Sequence, residues 1–178
     1  MKILIAAFFC TMVCLGADDN WQKILADRIP AYGHRNWIVV ADSAYPAQAK
    51  EGIETVVANA NQLQVLEVVL AAVGKSKHVT PIIHTDEELK YLDDAQAPGV
   101  EAYRDQLAAL FKDKTVEALP HEKIIERLDQ VSQTFRVLII KTNMTVPYTT
   151  VFLQLDCAYW SPDAEKGLRA KMAAAGVR

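Results

Sequence analysis

Gly33-His34-Arg35-Asn36-Trp37-Ile38-Val39-Val40-Ala41-Asp42 is the stretch on which the fold turns. Trp37 to Ala41 is an unbroken apolar run rich in β-branched residues, bounded by a Gly-containing turn and by an acidic side chain. Such a run, too short for a helix and without polar alternation, predicts a buried strand of a sheet covered by helices. Asp42 then stands at the strand's carboxyl end, a common site position in open α/β sheets.

Working outward, helices and strands alternate. Asp19 to Ile29 has helical spacing (Trp21, Ile24, Leu25, Arg28), with Asp18 or Asp19 as N-cap and Pro30 as its end. Downstream, Ser43 to Gly52 reads as a loop and Ile53 to Val57 as a strand. Asn61 to Val73 is an amphipathic helix stopped by Gly74. His78 to His84 is a strand, and Thr85 to Glu88 has the spacing of a capping box. Asp93 to Pro98 is a polar loop, Val100 to Phe111 a helix and Lys114 to Leu119 a strand. Pro120 and His121 open a helix to about Gln133. Arg136 to Lys141 is a very apolar strand, Thr142 to Pro147 a loop, Tyr148 to Leu155 the last strand and Pro162 to Met172 a terminal helix. The alternation predicts an α/β fold, a single-domain layered sandwich with a largely parallel sheet flanked by helices.

The N-terminus has the order of a secretory signal: Lys2, the apolar run Ile3 to Leu15, small Gly16 and Ala17, then Asp18 and Asp19. The expectation is a signal peptide over 1–17, a mature domain over 18–178, and export to the periplasm or the extracellular space. Cys10 and Cys14 would leave with the signal, so Cys157 has no intrachain disulfide partner and reads as a small core residue. Cleavage would also leave 18 basic and 22 acidic residues, a net charge of −4. With no basic stripe, a nucleic-acid partner is not expected. No second apolar stretch is long enough for a stable membrane span.

No Gly-rich dinucleotide fingerprint, phosphate loop, His-Glu-x-x-His, cysteine pair or Gly-x-Ser-x-Gly elbow occurs, so no cofactor is expected. What remains is His34, Asp42, His84, His121 and Tyr148, each at a strand end or helix start. Imidazole and carboxylate groups brought to one sheet edge can move protons near neutral pH. Singly, each has a plain alternative: a solvated or structural histidine, a turn aspartate, a packing tyrosine. His78, beside Lys75 and Lys77, reads as a solvated surface residue. Residue types and spacing go no further than an acid/base cluster.

Gly33-His34 followed by the apolar strand and Asp42 resembles the start of the D-ribose pyranase and L-fucose mutarotase family (RbsD/FucU), with eight residues from His to Asp. Val137 to Thr142 followed by Val146-Pro147-Tyr148-Thr149-Thr150-Val151 is similar to its closing strand, polar turn, Pro-Tyr and final strand. Pro120-His121-Glu122 lies where the family carries a His before its last long helix. The likeness spans Ile29 to Asp156.

The resemblance implies a cofactor-independent enzyme that interconverts anomers or ring forms of a reducing monosaccharide, ribose, fucose or similar. His34 would transfer protons, Asp42 would orient it or hold a sugar hydroxyl, and Tyr148 would be a second acid/base. His121, Lys141 and Thr150 would contact the sugar. Ring-shaped homo-oligomers with the site near a subunit interface are implied as well. The chain departs from the family pattern at Met144 (usually Glu), Thr150 (Asn), Lys141 (Arg) and Ser43-Ala44 (Ala-Gly). These changes support a second reading, a non-catalytic exported sugar-binding or scaffold protein of the same fold. A third reading is an unrelated exported α/β protein.

Overall fold

A computed structural model describes residues 20–177. The expected signal peptide and the Asp18/Asp19 cap lie outside these residues. Six strands form one sheet: β1 (Trp37–Ala41), β2 (Ile53–Val57), β3 (Val79–Asp86), β4 (Val116–Leu119), β5 (Val137–Lys141) and β6 (Val151–Cys157). Their spatial order is β2-β5-β1-β6-β3-β4. The pairs β2·β5, β5·β1 and β3·β4 are parallel, while β6 runs antiparallel to both β1 and β3. A parallel return needs a crossover of a dozen or more residues. The segment 142–150 is shorter than that, so β6 comes back reversed.

The apolar run of β1 is buried throughout, as its composition demands. Successive strand residues face opposite sides of the sheet. Ile38 and Val40 join Leu138 and Ile140 under α1 (Asn20–Arg28), α2 (Gln62–Gly74) and α3 (Val100–Leu110). Trp37 and Val39 join Val137, Ile139 and Phe152 under α4 (His121–Val131), which presents Ile124 and Leu128. The last helix, α5 (Pro162–Ala174), is capped by the Ser161 hydroxyl and buries none of its residues. None of the described helices is long and apolar enough to cross a membrane.

Several local expectations are corrected. Thr85 does not cap a helix. It lies in β3, which runs on to Asp86, and Glu87–Tyr91 is a short 3-10 helix without a side-chain cap. Tyr148 is not in the last strand, which begins at Val151, because Tyr148 takes a left-handed backbone conformation with φ +57°. Cys157 is only half-buried, at the end of β6. His78 is partly buried and bonded rather than simply solvated: its ring bonds the Ser76 hydroxyl at 2.7 Å and the Tyr32 carbonyl at 2.9 Å, pinning the end of the first helical segment.

Candidate active site

Because β1 and β3 run the same way, their carboxyl ends meet at one edge of the sheet. The reversed β6 begins there, and α4 starts there. A cavity of about 520 Å³ opens between them, lined by Asp42, Tyr45, Asp86, His121, Tyr148 and Thr150 among others. Ile125, Val146 and Pro147 give it an apolar wall.

Asp42 is held firmly. Its Oδ1 accepts from the Ala44 N–H at 2.8 Å, the closure of an Asx-type turn, and its Oδ2 accepts from the Thr150 hydroxyl at 2.9 Å. The Thr150 proton is therefore committed to Asp42. Tyr148 is anchored through its neighbour. The Thr149 carbonyl accepts from the Tyr103 hydroxyl at 2.9 Å and from the Gln62 side-chain amide, both on helices of the opposite layer. Met144 ties the same segment to the turn after β1: its carbonyl accepts from the Ser43 N–H at 2.8 Å. With its backbone fixed, Tyr148 stands edge-on to His121, ring centres 5.7 Å apart, and is 38% exposed.

His121 opens α4, where backbone N–H groups lack helical partners. The Glu88 carboxylate accepts from its N–H at 3.0 and 3.1 Å. The ring Nδ1 lies 3.1 Å from Asp86 Oδ1. Asp86 is 1% exposed, and its Oδ2 is buried without a hydrogen-bond partner among the described residues. Burial lifts the Asp86 carboxyl to about 6; His121 opposes that rise, and the Glu88 and Asp42 charges add to it. Burial likewise pushes the Tyr45 phenol well above its ordinary range, so it stays neutral.

Asp42, His121, Tyr148 and Thr150 thus converge within one chain. His34 and Lys141 do not line the cavity. His34 is exposed on the turn before β1, and the five-residue strand between it and Asp42 spans roughly 16 Å. The convergence of every candidate at one edge is corrected on this point, because His34 precedes the strand that Asp42 follows. Lys141 is half-buried at the end of β5, next to Ala41 in the sheet. His84 is also set apart: it is buried inside β3, stacked on Trp37 at 5.3 Å, and burial lowers its pKa. Its Nδ1 is 3.0 Å from a Glu117 carboxylate oxygen but poorly aligned for a hydrogen bond. Asp86 is the site residue the sequence reading passed over. The signal that finds Asp42, a carboxylate closing an apolar strand, finds Asp86 too once β3 is carried to its true end.

Among the described residues no group of three or more His, Cys, Asp and Glu side chains is arranged to hold a metal ion. The set comprises the carboxylates of Asp42 and Asp86, an imidazole and a phenol around a cavity with one apolar wall. It can hold hydroxyl groups and exchange protons with them.

Fold and cavity together define an α/β protein with an acid/base site at the carboxyl edge of a mostly parallel sheet. The chain belongs to the RbsD / FucU transport protein family, whose model matches residues 21–157. Members of that family are sugar pyranases and mutarotases. Among solved structures, RbsD of Bacillus subtilis complexed with D-ribose is 21% identical, covering 80% of this chain and 93% of its own, with a TM-score of 0.53. FucU of Bifidobacterium longum is 16% identical, covering 75% and 92%, with a TM-score of 0.52. These likenesses show the fold. The fucose mutarotase of Streptococcus pneumoniae, in complex with L-fucose, is 19% identical over 73% of this chain and 89% of its own, with a TM-score of 0.49. No curated protein matches the sequence.

Proposed function

We propose that this protein is an exported monosaccharide mutarotase or pyranase that interconverts anomers or ring forms of a reducing sugar by proton transfer. The observation that carries the reading is the convergence of Asp42, His121, Tyr148 and Thr150, from distant parts of the sequence, on one cavity. Ring opening needs a base for the anomeric hydroxyl proton and an acid for the ring oxygen, and closure reverses the two roles. The sugar is neither oxidised nor reduced and no group leaves it, so the chemistry requires no redox or group-carrying cofactor. Asp42 binds a sugar hydroxyl through a charge-assisted hydrogen bond, and Tyr148 exchanges a proton at the cavity mouth. His34 joins the site from a second copy of the chain in a ring-shaped oligomer, since its own β1 carries it to the far edge. The lead Lys2 with Ile3 to Leu15 supports export.

Saturation-transfer NMR on the anomeric protons tests this directly. D-Ribose, the sugar bound to the Bacillus subtilis relative, comes first, then fucose, galactose and glucose. Faster exchange for one sugar, lost in His34→Ala, supports the reading. Unchanged exchange for all of them sinks it. Saturable binding without acceleration would favour the non-catalytic reading, which has its own support in Thr150: the hydroxyl that replaces an amide is already spent on Asp42.

A further inference from the structure

Asp86 has no assigned part in the chemistry, yet it is the most deeply buried charged group at the cavity. Leaving one oxygen of a buried carboxylate unpartnered is costly, and such a group calls for an explanation. The only side-chain hydrogen bond Asp86 makes among the described residues is to Nδ1 of His121. An ionised carboxylate has no proton to give, so Nδ1 must carry one. In a neutral imidazole, Nε2 is then the bare nitrogen. Nε2 makes no hydrogen bond to any described residue, and His121 lines the cavity. The backbone bond to Glu88 fixes the ring's root at the same time.

We propose that Asp86 is the positioning residue that fixes the tautomer of His121 and so makes His121 Nε2 the base of the reaction. This rests on the mutarotase reading above. In the step, Nε2 takes the proton of the anomeric hydroxyl. The bond from the anomeric carbon to the ring oxygen breaks, its electron pair goes to the ring oxygen, and the hydroxyl oxygen becomes the carbonyl. The ring oxygen takes a proton from an acid of the site, Tyr148 or His34 of a neighbouring copy. Closure on the other face of the carbonyl returns both protons.

The groups facing Asp86 decide when the arrangement works. His121 and Glu122 come from α4, Glu88 from the 3-10 helix and Asp42 from the end of β1. On its other side Lys90, Arg104 and Lys112 border a second cavity that Asp86 also lines. The Arg104 guanidinium is bonded to the Leu89 and Leu92 carbonyls. Burial delays the ionisation of Asp86, the Glu88 and Asp42 charges add to the delay, and turnover rises with pH as Asp86 loses its proton near 6.

Three readouts on wild type, Asp86→Asn and Asp86→Glu test this. Nitrogen-15 shifts of the His121 imidazole should show the proton on Nδ1 in wild type and no such fixed preference in Asp86→Asn. For the sugar that wild type accelerates, Asp86→Asn should keep KM within about threefold and lower kcat by roughly a hundredfold or more, the usual scale of general-base catalysis. Its rate should lack the rise near pH 6, and Asp86→Glu should recover part of the rate and the rise. A wild-type ring protonated on Nε2 alone, or an Asp86→Asn kcat within threefold of wild type, overturns the proposal. Wild type inert towards every sugar refutes the mutarotase reading instead, and the nitrogen-15 shifts still decide whether Asp86 sets the tautomer.

Discussion

Asp86 makes catalysis and stability depend on pH in opposite directions. Its carboxyl titrates near 3.8 when exposed and near 6 when folded. Below about pH 4 both states hold the proton and nothing is lost. Between about 4 and 6 the unfolded chain releases it while the folded chain keeps it, so stability falls as pH rises. Above 6 the loss is complete, at about 3 kcal/mol at most. Urea unfolding from pH 4 to 7 should show this decline in wild type and its absence in Asp86→Asn. Tyr148 separates the two properties differently. Its hydroxyl bonds no described residue, and its ring is partly in solvent. Tyr148→Phe should therefore unfold within about 0.5 kcal/mol of wild type, while anomer exchange falls at least tenfold on removal of an acid/base group. Asp42 and Asp86 obey one sequence rule, an acidic residue closing an apolar strand. Asp42 was legible by it. Asp86 was hidden because Thr85 and Glu88 mimic a helix start, although Glu88 in fact serves the N–H of His121.

At the scale of elements, the site depends on how the segment 142–150 is tethered. Gln62, fully buried at the start of α2, donates to the Thr149 carbonyl, and its own carbonyl oxygen lies 3.4 Å from the Thr149 hydroxyl. Gln62→Leu removes two of these bonds, leaving the Thr149 carbonyl to Tyr103 and the Thr149 hydroxyl to the Val146 carbonyl. It should cost about 1–2 kcal/mol in chemical denaturation and raise KM for the sugar by loosening Tyr148. Tertiary tethers of this kind cannot be read from local spacing. That is why the apolar look of Tyr148 to Leu155 predicted a strand three residues too early. The helices α2, α3 and α4 and the strand β1 were legible because their burial pattern is written in their own residues, as Trp37 to Ala41 shows.

At the scale of the molecule, the sheet order decides which residues can meet. The alternation of strands and helices foretold a mostly parallel sheet, but not that β6 would lie reversed between β1 and β3. That placement brings Thr150 to Asp42. The same topology holds His34 at the other edge, so under the proposed function a complete site takes two copies. His34→Ala and Tyr148→Phe should each be poorly active alone. Unfolded together and reassembled, they should regain activity, because some interfaces then pair an intact His34 with an intact cavity. Mixed assemblies no more active than the separate variants would place the proton donor within a single chain.

The segment that leaves β5 and enters β6 passes over the end of β1, since β1 lies between those two strands. It forms an arch of nine residues above Asp42, carrying Met144, Tyr148 and Thr150, yet it contributes no residue to the strands beneath. Sugar preference can consequently drift, or be transplanted, as a cassette. An arch exchanged between relatives alters which hydroxyls are greeted while the layers below remain the same scaffold.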